Sequence, residues 1–67
     1  MNNYSSFEQA FGVGDIVKWN GKPYIVLEVY DERPVGFIYY IEYRGEYIPY
    51  DTTPKHAEVL QDELEIA

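Results

Sequence analysis

Asn20-Gly21, set between two runs of β-forming residues, constrains this chain more than any other feature. Both central residues of a two-residue type I′ turn sit at positive φ, which Asn and Gly adopt at least cost, so the pair predicts a tight hairpin. Residues 15–19 form the first strand, Trp19 and Lys22 flank the turn, and Val17 falls opposite Tyr24 and Asp15 opposite Val26. Pro23 lies just inside the second strand. Having no N–H, it has to turn its nitrogen away from the first strand or out at an edge.

The second strand runs from Tyr24 to Tyr30 or Glu32 and is apolar on both faces. Tyr24 and Val26 belong inward with Val17 and Trp19, whereas further along Leu27 and Val29 suit the core better. Both hold if the strand carries a bulge near Glu28, which bends it and reverses its facing. After a loop over residues 31–36, residues 37–44 form a third strand. Phe37, Tyr39, Ile41 and Tyr43 share its core face, and Ile38, Tyr40, Glu42 and Arg44 share the other.

The two ends are less regular. Residues 1–11 are expected to be loosely ordered, with Ser5 and Glu8 spaced to cap one helical turn through Phe7 and Ala10. Residues 12–67 form a single domain. The connection over residues 47–54 holds two prolines and two threonines, which oppose a helix, while the apolar character of Tyr47, Ile48 and Tyr50 predicts that it packs back onto the domain. Residues 55–67 admit two structures. One is a helix starting at Pro54 with Ala57, Leu60, Leu64 and Ala67 on one stripe, giving a three-stranded sheet plus C-terminal helix. The other, preferred here, is a strand over residues 57–61, a single turn over residues 62–64, and a short final strand to Ile66. Three strands alone would leave two open edges and a half-covered core.

A chain of 67 residues makes one domain and hides only about 60% of the surface its unfolded form exposes. Without cysteine, and with His56 as its single histidine, it has neither disulfide nor zinc site to staple it. Large side chains have to supply the core, and each aromatic buries on the order of 150–250 Å². Seven of the eight tyrosines lie between Tyr24 and Tyr50, more than a small core needs. The net charge is −7, and the five cations (Lys18, Lys22, Arg33, Arg44 and Lys55) are scattered, so direct nucleic-acid binding is not expected. Residues 1–10 lack the basic opening and apolar run of a secretory signal, and no apolar stretch is long enough to cross a bilayer. A cytoplasmic location is expected.

Gly14-Asp15-Ile16-Val17-Lys18-Trp19, then Asn20-Gly21, then Tyr24-Ile25-Val26-Leu27-Glu28-Val29, resembles the opening of small SH3-like barrels of the Tudor and KOW type. The closing Asp62-Glu63-Leu64-Glu65-Ile66 is similar to the turn and short fifth strand that end such barrels. The likeness covers residues 12–45 and 57–66, and implies a small five-stranded all-β barrel. It does not extend to the glycine-rich linker with basic neighbours through which KOW domains contact RNA. Since such a fold hosts many functions, it assigns none.

Three binding sites follow from these residues. The first is an acidic, tyrosine-bearing surface for a protein partner with a basic surface. Tyr30, Tyr40, Tyr47 and Tyr50 are the tyrosines least needed inside, and Glu28, Glu42 and Glu46 are interleaved with them. The second is implied by the resemblance: a Tudor-like pocket for methylated or cationic side chains lined by Trp19, Tyr24, Tyr47 and Tyr50, whose ring faces attract cations. Against it, Trp19 and Tyr24 pair across the turn as core residues. The third is imitation of nucleic acid by a row of carboxylates, Glu58, Asp62, Glu63 and Glu65, filling the basic groove of a DNA- or RNA-handling protein. A small acidic domain of this kind also fits a phage or mobile-element origin. Catalysis is not expected: Ser5 and Ser6 sit far from His56, which is expected in a solvated loop, and a nucleophile needs a base within hydrogen-bond reach. No cofactor, metal or membrane partner is expected, and the oligomeric state is left open.

Overall fold

The computed structural model describes residues 8–47 and 49–67. Among these residues five strands form one antiparallel sheet: β1 (Ile16–Trp19), β2 (Lys22–Glu32), β3 (Gly36–Tyr43), β4 (His56–Leu60) and β5 (Leu64–Ile66), with a 3-10 turn, Gln61–Glu63, between the last two. The sheet order is β4-β3-β2-β1-β5. Among the described residues no helix is long and apolar enough to cross a membrane.

The hairpin forms as its sequence dictates. Asn20 and Gly21 take φ values of 54° and 75°, and Trp19 pairs with Lys22 and Val17 with Tyr24. Asp15 accepts a hydrogen bond from the Val26 N–H at 2.9 Å. Pro23 lies opposite Lys18, and its carbonyl accepts the Arg44 N–H at 2.9 Å. Because N–H and C=O of a strand residue point the same way, its nitrogen faces away from β1. The β2–β3 register slips between Val26 and Glu28, where Leu27 is the extra residue. That bulge reverses the facing: Tyr24 and Val26 point inward before it, and Val29, opposite the buried Tyr39, does so after it.

The core holds Phe11, Val17, Tyr24, Val26, Phe37, Tyr39, Ile41, Val59 and Leu64. Val59 and Leu64 come from the two ends of the strand order yet share this one cluster. A single sheet achieves that only by curling, so that its concave face covers itself. Residues 55–67 take the strand alternative, not the helix. Ala57 and Val59 face inward, while Leu60, which a helical stripe would bury, points out at 41% exposure.

Four expectations need amendment. The packed unit begins before residue 12: Phe11 is buried edge-to-face against Tyr39 at 5.8 Å. Gln61 anchors the preceding backbone, donating to the Glu8 carbonyl at 2.8 Å and accepting the Ala10 N–H at 2.9 Å. Residues 8–10 carry no helical turn, and the cap and turn proposed for Ser5 and Phe7 lie outside the described residues. Tyr47 and Tyr50 do not pack back; they are 85% and 96% exposed. Polar clips tie the connection down instead. Lys22 Nζ meets both Asp51 carboxylate oxygens at 3.0 and 2.9 Å and also donates to the Thr53 hydroxyl, and the Tyr24 hydroxyl donates to the Pro54 carbonyl at 2.9 Å. Ile48 lies outside the described residues. His56, expected in a loop, opens β4.

Candidate protein-binding surface

The convex face of β2, β3 and β4 assembles side chains that are scattered in the sequence. Pairing sets them in three rows across the strands: Ile25, Glu42 and His56; Glu28, Tyr40 and Glu58; Tyr30, Ile38 and Leu60. Residues opposite one another on one face lie about 4.5–5.5 Å apart at Cβ, so each row is a contact row. Tyr30, Ile38, Tyr40 and Leu60 make an apolar centre, with Tyr30 39% and Leu60 41% exposed. Glu28, Glu42 and Glu58 border Tyr40 on three sides, and the row of Tyr30, Ile38 and Leu60 lies on its fourth.

Local contacts fix the rings. The Tyr40 ring stacks on His56, centroids 5.5 Å apart and planes 13° from parallel. His56 Nε2 lies 3.0 Å from Glu42 Oε2, and Arg44 reaches the other Glu42 oxygen at 3.5 Å. The Tyr30 hydroxyl donates to Glu28. That bond first, then partial burial and the negative charges of Glu28 and Glu58, push the Tyr30 hydroxyl above its ordinary pKa. It stays protonated and able to donate.

Of the residues proposed for this surface, Tyr30, Tyr40 and Glu42 come together, whereas Tyr47 and Tyr50 stand apart on the β3–β4 connection. Ile38, Leu60 and His56 were missed. Ile38 was legible as the same-face neighbour of Tyr40, and Leu60 as the outward neighbour of Val59 in the preferred strand; their meeting depended on the pairing of that strand with β3.

The four rings proposed for an aromatic pocket do not converge. Tyr24 is buried, its hydroxyl raised in pKa chiefly by that burial, and Trp19 meets it edge-to-face at 5.4 Å, so both belong to the core side of the hairpin. Trp19, Lys22, Tyr24 and Thr53 line one open hollow of about 170 Å³. Tyr47 lines another, of about 180 Å³, with Tyr43, Glu46 and Lys55. Tyr50 lines neither. Of the carboxylates proposed as a phosphate-like row, Glu58 is on β4, Asp62 and Glu63 are on the 3-10 turn, and Glu65 is on β5 beside Lys18. Glu63 accepts the Leu60 N–H at 2.9 Å. Among the described residues no group of three or more His, Asp or Glu side chains is placed to hold a metal ion. Ser5 and Ser6 lie outside the described residues.

No family model matches the chain, and no match is found among curated proteins or solved structures. Fold and surface together define a small all-β domain whose outer sheet face sets an aromatic and apolar group beside three carboxylates.

Proposed function

We propose that this chain is a non-enzymatic binding module of SH3-like type that engages a protein partner bearing a basic surface. The observation that carries this reading is the outer-face cluster of Tyr30, Ile38, Tyr40 and Leu60, bordered at Tyr40 by Glu28, Glu42 and Glu58. An apolar, aromatic centre with a polar rim is the anatomy of a protein–protein interface. Tyrosine is enriched there because it gives large contact area at low entropic cost. The carboxylates favour a cationic partner and repel phosphate backbones.

Affinity capture at low and at moderate salt, comparing the wild type with a Glu28→Lys/Glu58→Lys double variant, tests this. Both positions are exposed, so the variant keeps its fold. The expected result is a basic protein retained through moderate salt by the wild type and lost by the variant. Partners that vanish at moderate salt would favour nucleic-acid imitation, and direct retardation of labelled DNA or RNA by the purified protein would overturn the proposal.

A further inference from the structure

β4 ends the strand order, and among the described residues it pairs only with β3. The Tyr43 N–H donates to the Lys55 carbonyl at 2.7 Å, which sets the phase of that ladder. In an antiparallel pair the hydrogen-bonded positions recur every second residue. Ala57 and Val59 therefore turn their backbone groups toward β3, while those of His56, Glu58 and Leu60 point to the open edge. The Leu60 N–H is already taken by the Glu63 carboxylate. The remaining edge is the His56–Glu58 stretch, next to the acidic and aromatic rows of the outer face.

A second copy of this chain fits that edge badly. A two-fold pairing that used all of β4 would centre on Glu58 and set its carboxylate against its own copy, an unfavourable cross-strand pair. Pairing β4 of one copy with β5 of another would bring Glu58 toward Glu65, since both lie at exposed positions. Each copy also carries a net charge of −7. A strand of opposite charge meets none of these obstacles.

We infer that the edge of β4 accepts an extended, basic segment of the partner protein as a sixth, antiparallel strand, with a lysine or arginine opposite Glu58. This rests on the proposal that the partner is a basic protein, and adds how it is held. Main-chain bonds to His56 and Glu58 supply the pairing, and alternate side chains supply selectivity. The residue opposite Glu58 extends the row Glu28, Tyr40, Glu58, placing its cation beside that carboxylate. Two residues along, an apolar side chain falls opposite Leu60, beside a shallow hollow of about 30 Å³ lined by Val35, Phe37 and Gln61.

The probe is a short basic peptide with a central lysine and a valine two residues before it, to lie opposite Glu58 and Leu60, compared with an analogue N-methylated at the central lysine, which keeps the charge and removes one backbone donor. Expected are slowed amide exchange at His56 and Glu58 on adding the peptide, and binding weakened about tenfold by the N-methyl group. Glu58→Pro should weaken binding more than Glu58→Gln does, because beyond the carboxylate it removes an N–H that faces the open edge and not β3. N-methylation without effect, with resonance changes at Tyr30, Ile38 and Tyr40 only, would overturn edge pairing while leaving the outer face as the binding surface. Edge pairing with the peptide, alongside undiminished partner capture by a Glu28→Lys/Tyr30→Ala variant that leaves β4 intact, would sustain the inference and overturn the outer-face proposal. No binding at millimolar peptide, or a concentration-dependent dimer abolished by Glu58→Pro, would overturn the inference.

Discussion

Gln61 is 2% exposed, and its amide joins segments that are remote along the chain. Its Oε1 accepts the Tyr39 hydroxyl at 2.5 Å and the Ala10 N–H at 2.9 Å, while its Nε2 donates to the Glu8 carbonyl. Leucine would fill nearly the same space but satisfy none of these groups. Gln61→Leu should therefore cost about 2 kcal/mol and lower the melting temperature by on the order of 10 °C, as thermal denaturation followed by circular dichroism would show. Asp51 behaves differently because it lies nearer water. The Thr53 hydroxyl first, the Lys22 ammonium next and the Thr53 N–H after it hold its carboxyl at about 2. A folded-state value below that of the unfolded chain means the stabilising contribution is complete above about pH 4. It fades as the pH falls toward about 2. Urea titrations across that window should show the wild type losing stability more steeply than Asp51→Asn; parallel curves would mean that the clip does not stabilise the fold.

The hairpin shows how much one turn can determine. Gly21 sits at φ 75°, and a Cβ built there meets nothing within 4 Å, so substitution would strain the backbone without steric clash. Gly21→Ala should cost about 1 kcal/mol, whereas D-alanine at the same position, placed by chemical synthesis, should restore stability. If both alanines destabilise alike, the left-handed backbone is not the cause. Asn20-Gly21 is also why the β1–β2 register was legible from sequence, and the conflict between Val26 and Leu27 in facing was enough to locate the bulge. Alternation in β3 separated Tyr39 and Ile41 from Tyr40 and Glu42 for the same reason. Other features were not legible because they depend on contacts remote in sequence. Gln61 reaches Ala10 across 51 positions with no local signal. Tyr47 and Tyr50 misled because composition favours packing them, whereas Lys22 and Asp51 decide the path of their loop. The outer face was half visible: Tyr30, Tyr40 and Glu42 could be named, but their union with Leu60 and His56 required β4 to be a strand paired with β3.

For the whole molecule, twelve acidic residues against five basic ones produce two salt effects of opposite sign. Within the folded domain the excess negative charge repels itself more than it does in the expanded chain, so screening should favour folding. The ion pairs that salt would weaken are few and partly exposed, such as Lys22–Asp51 and Arg33–Asp31, and pairs of that kind contribute little. The melting temperature should therefore rise as sodium chloride is added from about 20 mM to about 500 mM, a range over which the Debye length contracts several-fold. Toward a basic partner the same field acts as an attraction, so the association rate should fall over that range. In the proposed complex, dissociation would be governed by the desolvated group of Tyr30, Ile38, Tyr40 and Leu60, and should change much less. Stopped-flow or surface-based kinetics on the captured partner, together with melting curves in the same buffers, separate the two effects. A dissociation rate that climbs as steeply as the association rate falls would mean that carboxylates, and not the aromatic centre, hold the complex together.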